Sequence, residues 1–368
     1  MLSKKELKKY SRQITLSEIG KEGQIKLKNA HVLVVGAGGL GCPVVQYLSA
    51  MGVKHIGVVD NDKVEMHNLH RQVLFGENDI GEYKADVVKS LIEERHPEIE
   101  LITYREWLNS SNVLDILDKW EYIVDGTDNF TTKYLLNDAC VVLDKPMFSA
   151  SILRFEGQVS VFNFQNGPTY RCLFPEAPSP ENSPSCEEAG VAGFLPGIIG
   201  SMLTNEIIKA ILGIGEVLSG KLLVYNSLNN EMNVYEFATV SENKKIENIK
   251  EENIQCSGDM NNKMKNIEPE ELKELMSNGE EVSIIDVREP YEVDICNIGG
   301  TNIPLNELPH NVDRIPSQNK VAFLCHHGIR SQKAIEYLKR EKNFDNLYNI
   351  NGGIHKWAQN VDPELPVY

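Results

Sequence analysis

The stretch HVLVVGAGGLGCPVVQYLSAMGVKHIGVVD, His31 to Asp60, constrains the fold more than any other part of the chain. It runs as an apolar strand, a glycine-rich turn, a helix-length segment and a second apolar strand, which is one βαβ unit. The turn reads GAGGLG, with Gly36, Gly38 and Gly41 in G-x-G-x-x-G spacing and Gly39 among them. These glycines permit a tight turn and close backbone approach to phosphate. The helix that follows aims its N-terminus at negative charge, and Asp60, ending the second strand, is placed to read a ribose hydroxyl. The pattern predicts a nucleotide site. A dinucleotide, and hence a nicotinamide-dependent dehydrogenase, fits the same glycines, and so does a role confined to helix packing.

YIVDGTDN (Tyr122 to Asn129) and KPMFSASI (Lys145 to Ile152) are expected as further strands, with a helix around Thr131 to Leu143 between them. GQVSVFNF and KLLVYNSLNNEMNVYEF are expected as antiparallel additions to the same sheet. From Val191 to Ile214 the chain is at its most apolar, but it contains Pro196, Glu206 and Lys209, so a buried helix is expected and not a membrane span. Residues 241–266 are poor in apolar side chains and rich in Glu, Lys and Asn. Too little surface is available there to offset the entropy of ordering, which predicts a flexible linker. Beyond it, EVSIIDVRE, VAFLCHHG and NLYNINGG alternate with helical segments such as SQKAIEYLKREK, giving a second, smaller α/β domain. A length of 368 residues accommodates two such domains.

Charge and cysteine usage narrow the partners. A net charge of −16 argues against a nucleic-acid surface, so small molecules or proteins are expected. Seven scattered cysteines do not make a disulfide framework, and the start MLSKKELKKY has no apolar signal core. A reducing cytoplasm is the expected location, with no membrane partner. Asn68 and Arg71 in NLHRQ, Lys84 in GEYKAD and Asp128 in DGTDNF add an amide, two cations and a carboxylate to the half-sheet that holds the glycine turn. That set suits a metal-bound triphosphate better than a nicotinamide.

With these motifs in order, residues 1 to about 240 resemble the MoeB/ThiF adenylyltransferases, prokaryotic relatives of ubiquitin-activating enzymes. RQI at Arg12, GAGGLGCP, DNDKVEMHNLHRQ, GEYKAD, DGTDN and EGQVSVF carry the resemblance. It implies a Rossmann-like mixed sheet, with Gly36, Gly38, Gly39 and Gly41 lining the phosphate loop and Asp60 on the ribose. Asn68, Arg71 and Lys84 would contact the phosphates of ATP, and Asp128 would hold Mg²⁺. Arg12 would reach across a homodimer interface toward the partner's nucleotide. Asp62, Asp125 and Arg154 are either ligands or supports of that site. The reaction implied is attack by the C-terminal glycine carboxylate of a ubiquitin-like sulfur carrier, ending in diglycine, on the α-phosphate of ATP. An acyl-adenylate and pyrophosphate result, and no protein nucleophile is needed.

Cys186 matches the family cysteine proposed to bond with the activated carrier. An exposed loop ahead of a helix favours its thiolate, while Glu187 and Glu188 oppose it. Many members hold a structural zinc with two C-x-x-C pairs, but this chain keeps only Cys172, with Thr169 in place of its partner, and only Cys256. Two sulfurs do not close a tetrahedral site. Structural zinc is therefore not expected, Cys172 is read as a small buried side chain, and that end of the sheet is expected to be held by packing alone.

FLCHHGIRSQKA, Phe323 to Ala334, is the second concentration of chemistry. A metal site at Cys325 is disfavoured, because adjacent His326 and His327 in a tight loop cannot both face its ion without further ligands. A papain-like pair needs a histidine far away in sequence. What remains is a cradle in which the amides of residues 326 to 331 converge on Cys325 at the start of a helix. Four residues separate Cys325 from Arg330, one fewer than in cysteine phosphatases, and the tighter ring suits a single sulfur atom.

Residues 267–368 resemble the rhodaneses, through IIDVREPYE, IGGTNIPL, the CHHGIRS loop and NINGGIHKW. The resemblance implies a persulfide on Cys325, held by a loop of His326, His327, Gly328, Ile329 and Arg330 and loaded by an upstream sulfur donor. Asp286 and Arg288 would orient the fold around that loop.

The expected fold class is α/β: a Rossmann-like mixed-sheet nucleotide-binding domain (1–240), a flexible linker (241–266) and a smaller α/β rhodanese domain (267–368). The expected product is a carrier thiocarboxylate for molybdopterin synthesis, with thiamine synthesis as the runner-up. A non-catalytic nucleotide-binding scaffold fused to a rhodanese is the alternative from another class.

Overall fold

A computed structural model of the chain describes residues 1–177, 190–246, 249, 264–342 and 344–366. The chain divides into two compact units, Met1–Cys256 and Ser257–Tyr368.

The first unit is built on eight strands: β1 (His31–Val35), β2 (His55–Val59), β3 (Glu100–Tyr104), β4 (Tyr122–Asp125), β5 (Met147–Leu153), β6 (Glu156–Phe162), β7 (Lys221–Asn226) and β8 (Glu231–Glu236). They lie in the order β3-β2-β1-β4-β5-β6-β7-β8. The five strands from β3 to β5 run parallel, and β6, β7 and β8 continue as an antiparallel meander. HVLVV and HIGVV bury four of five residues each, as parallel strands covered on both faces must. β8 is exposed along its whole length, consistent with its place at the edge.

The chain leaves β1 for β2 and β3 on one side, then returns to β4 and β5 on the other. The switch therefore falls at the carboxyl ends of β1 and β4, where open α/β sheets bind ligands. The apolar segment forms the helix Leu195–Leu212, which buries Leu195, Ile199, Leu203, Ile207 and Ile211 in the core. Its buried Glu206 accepts from the Leu218 amide at 2.9 Å and pairs with Lys209 at 2.6 Å. By length and composition alone this helix could cross a membrane, but here it is an interior helix of the sheet domain.

Two readings of the sequence meet described structure here. The stretch read as a linker is structured at both described ends. Ser241–Lys244 forms a 3₁₀ turn in which the Asn243 side-chain Nδ2 donates to Arg171 O at 2.9 Å, and Ile249 packs on the aromatic core. At the other end Lys265–Ile267 is a strand, β9. An edge strand needs backbone pairing and one buried anchor, here Ile267, so a polar composition does not exclude it.

Nor is the Cys172 end held by packing alone. The Thr169 and Val240 amides both donate to Cys172 Sγ at 3.3 Å, tying the two segments together through sulfur. Arg171 adds a bidentate bond to Asp138, 2.8 Å on each arm. Cys256 lies outside the described residues.

The second unit is a parallel five-stranded sheet in the order β11-β10-β12-β13-β9. Its other strands are β10 (Val282–Asp286), β11 (Thr301–Asn302), β12 (Lys320–Leu324) and β13 (Leu347–Ile350). The central strand, β12, leads directly into Cys325.

Candidate active sites

At the switch point of the first sheet lies a cleft that is open to solvent, with about 900 Å³ of free space counting its solvent-filled mouth. It is lined by the ends of β1 and β2, the glycine turn, Asp60, Asp62, Arg71, Gln72, Lys84 and the loop Gly126–Asn129. The turn is as tight as its glycines suggest. Gly36 has φ of +90°, and a Cβ on Gly41 would fall 1.8 Å from Gly36 O, so a side chain there breaks the turn. Gly36, Gly38 and Gly39 line the cleft, whereas Gly41 lies beneath them as the first residue of the helix Gly41–Met51.

Asp60 is braced by amides, with Oδ2 accepting from Ala37 at 2.7 Å and Oδ1 from Asp62 at 2.8 Å. Burial raises its pKa, and Lys84 and the two amides oppose the rise. Lys84 is buried at the start of the helix Lys84–Arg95 and reaches Asp62 at 3.0 Å. Arg71 Nη1 donates to His67 O at 2.8 Å. Asp128 is an exposed carboxylate on the cleft wall. Asp125 is fully buried. Its Oδ2 accepts from Lys133 and Ser149, both at 2.6 Å, and its Oδ1 accepts from the Thr127 amide and hydroxyl, so it anchors the loop and is not a ligand.

Some expected residues are not brought to the cleft. Asn68 is buried within its own turn: Oδ1 accepts from the Glu65 amide at 3.3 Å, and its carbonyl takes the amides of Arg71 and Gln72. Arg12 is exposed on the short helix Ser11–Ile14, and Arg154 sits at the tip of the β5–β6 hairpin with φ of +55°. Arg154 is not among the residues that line the cleft, and Arg12, expected at a partner's nucleotide and not at its own, does not line it either. Cys186 lies outside the described residues.

Other residues join the site without having been singled out. Gln72 lines the cleft but is only 4% exposed, and its buried Oε1 has no hydrogen-bond partner among the described residues. An orphaned buried acceptor is a polar group waiting for a ligand donor. Trp107, 61% exposed, places an aromatic ring on the wall. Gln72 follows Arg71 directly and was within reach of the motif. Trp107 follows β3 and comes to the cleft only through sheet topology.

In the second unit Cys325 is 1% exposed. Gly328, with φ of +96°, turns the loop so that its amide donates to Cys325 Sγ at 3.1 Å. Ser331 Oγ lies 3.2 Å from the sulfur and 2.7 Å from Asn349 Oδ1, and its one proton serves one of them at a time. The NGG turn seals this loop. A Cβ on Gly353 would fall 2.3 Å from the carbonyl oxygens of both Cys325 and His326, which accept instead from the amides of Ile354 at 2.9 Å and His355 at 3.1 Å.

Arg288, wholly buried, forks onto Asp286 and also donates to the Cys296 carbonyl, fixing the chain beside the loop. Arg330, expected to help hold the sulfur, is engaged elsewhere: its guanidinium forks onto Glu292 at 2.5 and 2.6 Å.

Burial pushes the Glu292 pKa up, but Arg330 and the Glu289 amide outweigh it and leave the carboxyl below its ordinary range. A carboxyl depressed in the folded state stabilises above its unfolded pKa, and that contribution disappears as pH falls through the folded value. Glu292→Gln should therefore unfold below wild type near pH 7. The gap should close as pH drops below about 4.3, as read from the melting of the second unit.

His326 is pressed against His327, with ring centroids 4.1 Å apart, and His355 lies 4.9 Å from His327. Burial, then the neighbouring His327 and His355, push the His326 pKa down to about 4. The lack of further ligands that spoke against a metal here thus does not apply to the imidazoles, since His355 arrives from another segment.

A glycine-turn cleft with Lys84 and Arg71 on its walls, and a separate unit built around one buried cysteine, fit an enzyme that activates with a nucleotide and handles sulfur. Residues 10–248 match the ThiF family and residues 268–360 match the rhodanese-like domain. The chain belongs to the ThiF family and is an adenylyltransferase with a sulfurtransferase domain.

It is similar to the adenylyltransferase and sulfurtransferase MOCS3 of Aedes aegypti, at 39% identity over the whole of this chain and 90% of the relative. It is also similar to the probable adenylyltransferase/sulfurtransferase MoeZ of Mycobacterium tuberculosis, at 38% identity over the whole chain and 96% of that protein. Among solved structures, E. coli MccB with AMPCPP and MccA shares the fold, with a TM-score of 0.57 at 24% identity over 63% of this chain and 72% of that one.

Proposed function

We propose that residues 1–240 adenylylate the C-terminal glycine of a ubiquitin-like sulfur carrier, that residues 267–368 supply sulfur from a persulfide on Cys325, and that residues 241–266 connect the two. One observation carries this reading: a glycine-turn cleft with Lys84, Arg71 and Asp128 on its walls stands in the same chain as a buried cysteine cradled by its own loop.

In the cleft, the backbone of Gly36, Gly38 and Gly39 receives the phosphates of ATP and Asp60 takes a ribose hydroxyl. Lys84 exchanges Asp62 for phosphate oxygen, and Lys84 and Arg71 stabilise the charge that develops as pyrophosphate leaves. Asn68 acts through its carbonyl, which fixes the turn that presents Arg71. The carboxylate of Asp128, a hard oxygen donor open to the cleft, fits Mg²⁺, which when bound neutralises phosphate charge. Arg12 stands exposed, available to the site of a partner in a homodimer.

In the second unit the Cys325 thiolate attacks the sulfane sulfur of a donor, the bond from that sulfur to the rest of the donor breaks, and the remainder, sulfite in the case of thiosulfate, leaves, so that Cys325 carries the persulfide. The terminal sulfur then attacks the carrier's acyl-adenylate and AMP leaves. A second thiol, for which Cys186 is the candidate, attacks the Cys325 sulfur. That step releases the carrier thiocarboxylate and leaves a disulfide for a cytoplasmic dithiol to reduce. The destination we favour is molybdopterin synthesis, because full-length relatives with the same two domains are named MOCS3.

The test is mass spectrometry of a diglycine-ended carrier. ATP alone should give the adenylate, and ATP with thiosulfate should replace one carboxylate oxygen with sulfur. Absence of carrier-dependent pyrophosphate exchange would sink the reading and restore the nicotinamide dehydrogenase or the silent scaffold.

A further inference from the structure

We propose that His326, His327 and His355 form a three-imidazole site for a divalent transition-metal ion of the zinc class, beside the Cys325 loop. Their ligating nitrogens all lie within 4.8 Å of one another. Three nitrogens around one tetrahedral zinc sit about 3.3 Å apart, so small side-chain rotations close the set.

The two segments that supply the rings are already locked together, because the His355 amide donates to His326 O at 3.1 Å. His355 Nδ1 is buried and has no hydrogen-bond partner among the described residues, which is costly for a ring nitrogen unless something binds it. Its other nitrogen, Nε2, lies 2.9 Å from the Gln359 side-chain NH2, which donates to it; metal on Nδ1 puts the ring proton on Nε2 and requires that amide to turn and present its oxygen. His327 is exposed while His326 and His355 are half-buried, so an ion enters from solvent and keeps an open coordination position, as in non-structural zinc sites. The charged groups facing His326 from the neighbouring elements are Glu292 and Arg330, which are paired with each other.

Imidazole-only ligation, with no thiolate, separates this site from the cysteine zinc sites of the family's adenylylating domain. It also makes a binding test independent of sulfur transfer. The probe is Co²⁺ titrated into the full-length chain. One equivalent should develop visible d–d absorption without a thiolate charge-transfer band, and Cys325→Ser should bind it as wild type does. His355→Ala and His327→Ala should each weaken binding at least about tenfold. His327 is exposed, so its loss of binding cannot be assigned to misfolding. Unchanged affinity in both histidine variants, or a thiolate band abolished by Cys325→Ser, would overturn the proposal.

Discussion

Cys325→Ala should cut carrier thiocarboxylation by three orders of magnitude or more, on the scale that losing a covalent nucleophile costs other enzymes, while the adenylate still forms. The expectation follows from the separation of tasks. The residues described as lining the cleft all come from the first unit, and its chemistry needs no protein nucleophile. Around Cys325 the substitution is small: the sulfur is buried, and its removal frees the Gly328 amide and the Ser331 hydroxyl, of which the hydroxyl still has Asn349. The variant should fold, accumulate carrier adenylate by mass spectrometry, and fail to convert it when thiosulfate is added. If adenylation disappeared along with thiocarboxylation, the division of labour would be wrong.

Asp125→Ala should be the most damaging single change in the first unit. Asp125 and Lys133 are 0% and 4% exposed and pair at 2.6 Å. Removing one partner of a buried pair strands the other charge in a poor solvent, at a cost of about 3–5 kcal/mol. Here Lys133 would keep only the Ala150 carbonyl at 3.1 Å. Ser149 and Thr127 lose their acceptor as well, so the Gly126–Asn129 wall of the cleft loosens and ATP affinity falls with stability. The double variant Asp125→Ala/Lys133→Met separates the two effects. It removes the stranded charge and should recover most of the stability in urea unfolding, but not the ATP affinity. A single variant that unfolded within about 1 kcal/mol of wild type would show that water or rearrangement reaches Lys133.

How far the sequence could be read depended on how local each determinant is. The β1 turn and its helix were legible because the β-branched runs and glycines act on their own neighbours, and Lys84 and Asp60 sit where strand and helix ends must put them. Asn68 carries the same motif signal, yet its side chain turns inward to the Glu65 amide, because a tight turn needs an internal acceptor. Trp107 and His355 carry no signal at all, since only the folded sheets bring them to their sites. Arg330 was legible as part of the loop but not as the partner of Glu292, which stands 38 residues earlier. In the stretch read as linker, composition described the side chains correctly and missed backbone pairing, which is indifferent to them.

The burial of Cys325 bears on survival in air. Peroxide and similar oxidants convert cysteines in proportion to their exposure and thiolate character, and beyond the sulfenic stage the damage is largely permanent. A nucleophile with 1% of its surface open meets such small diffusing reagents rarely. The same cradle of the Gly328 amide and Ser331 hydroxyl that holds the sulfur therefore also limits which reagents come into contact with it.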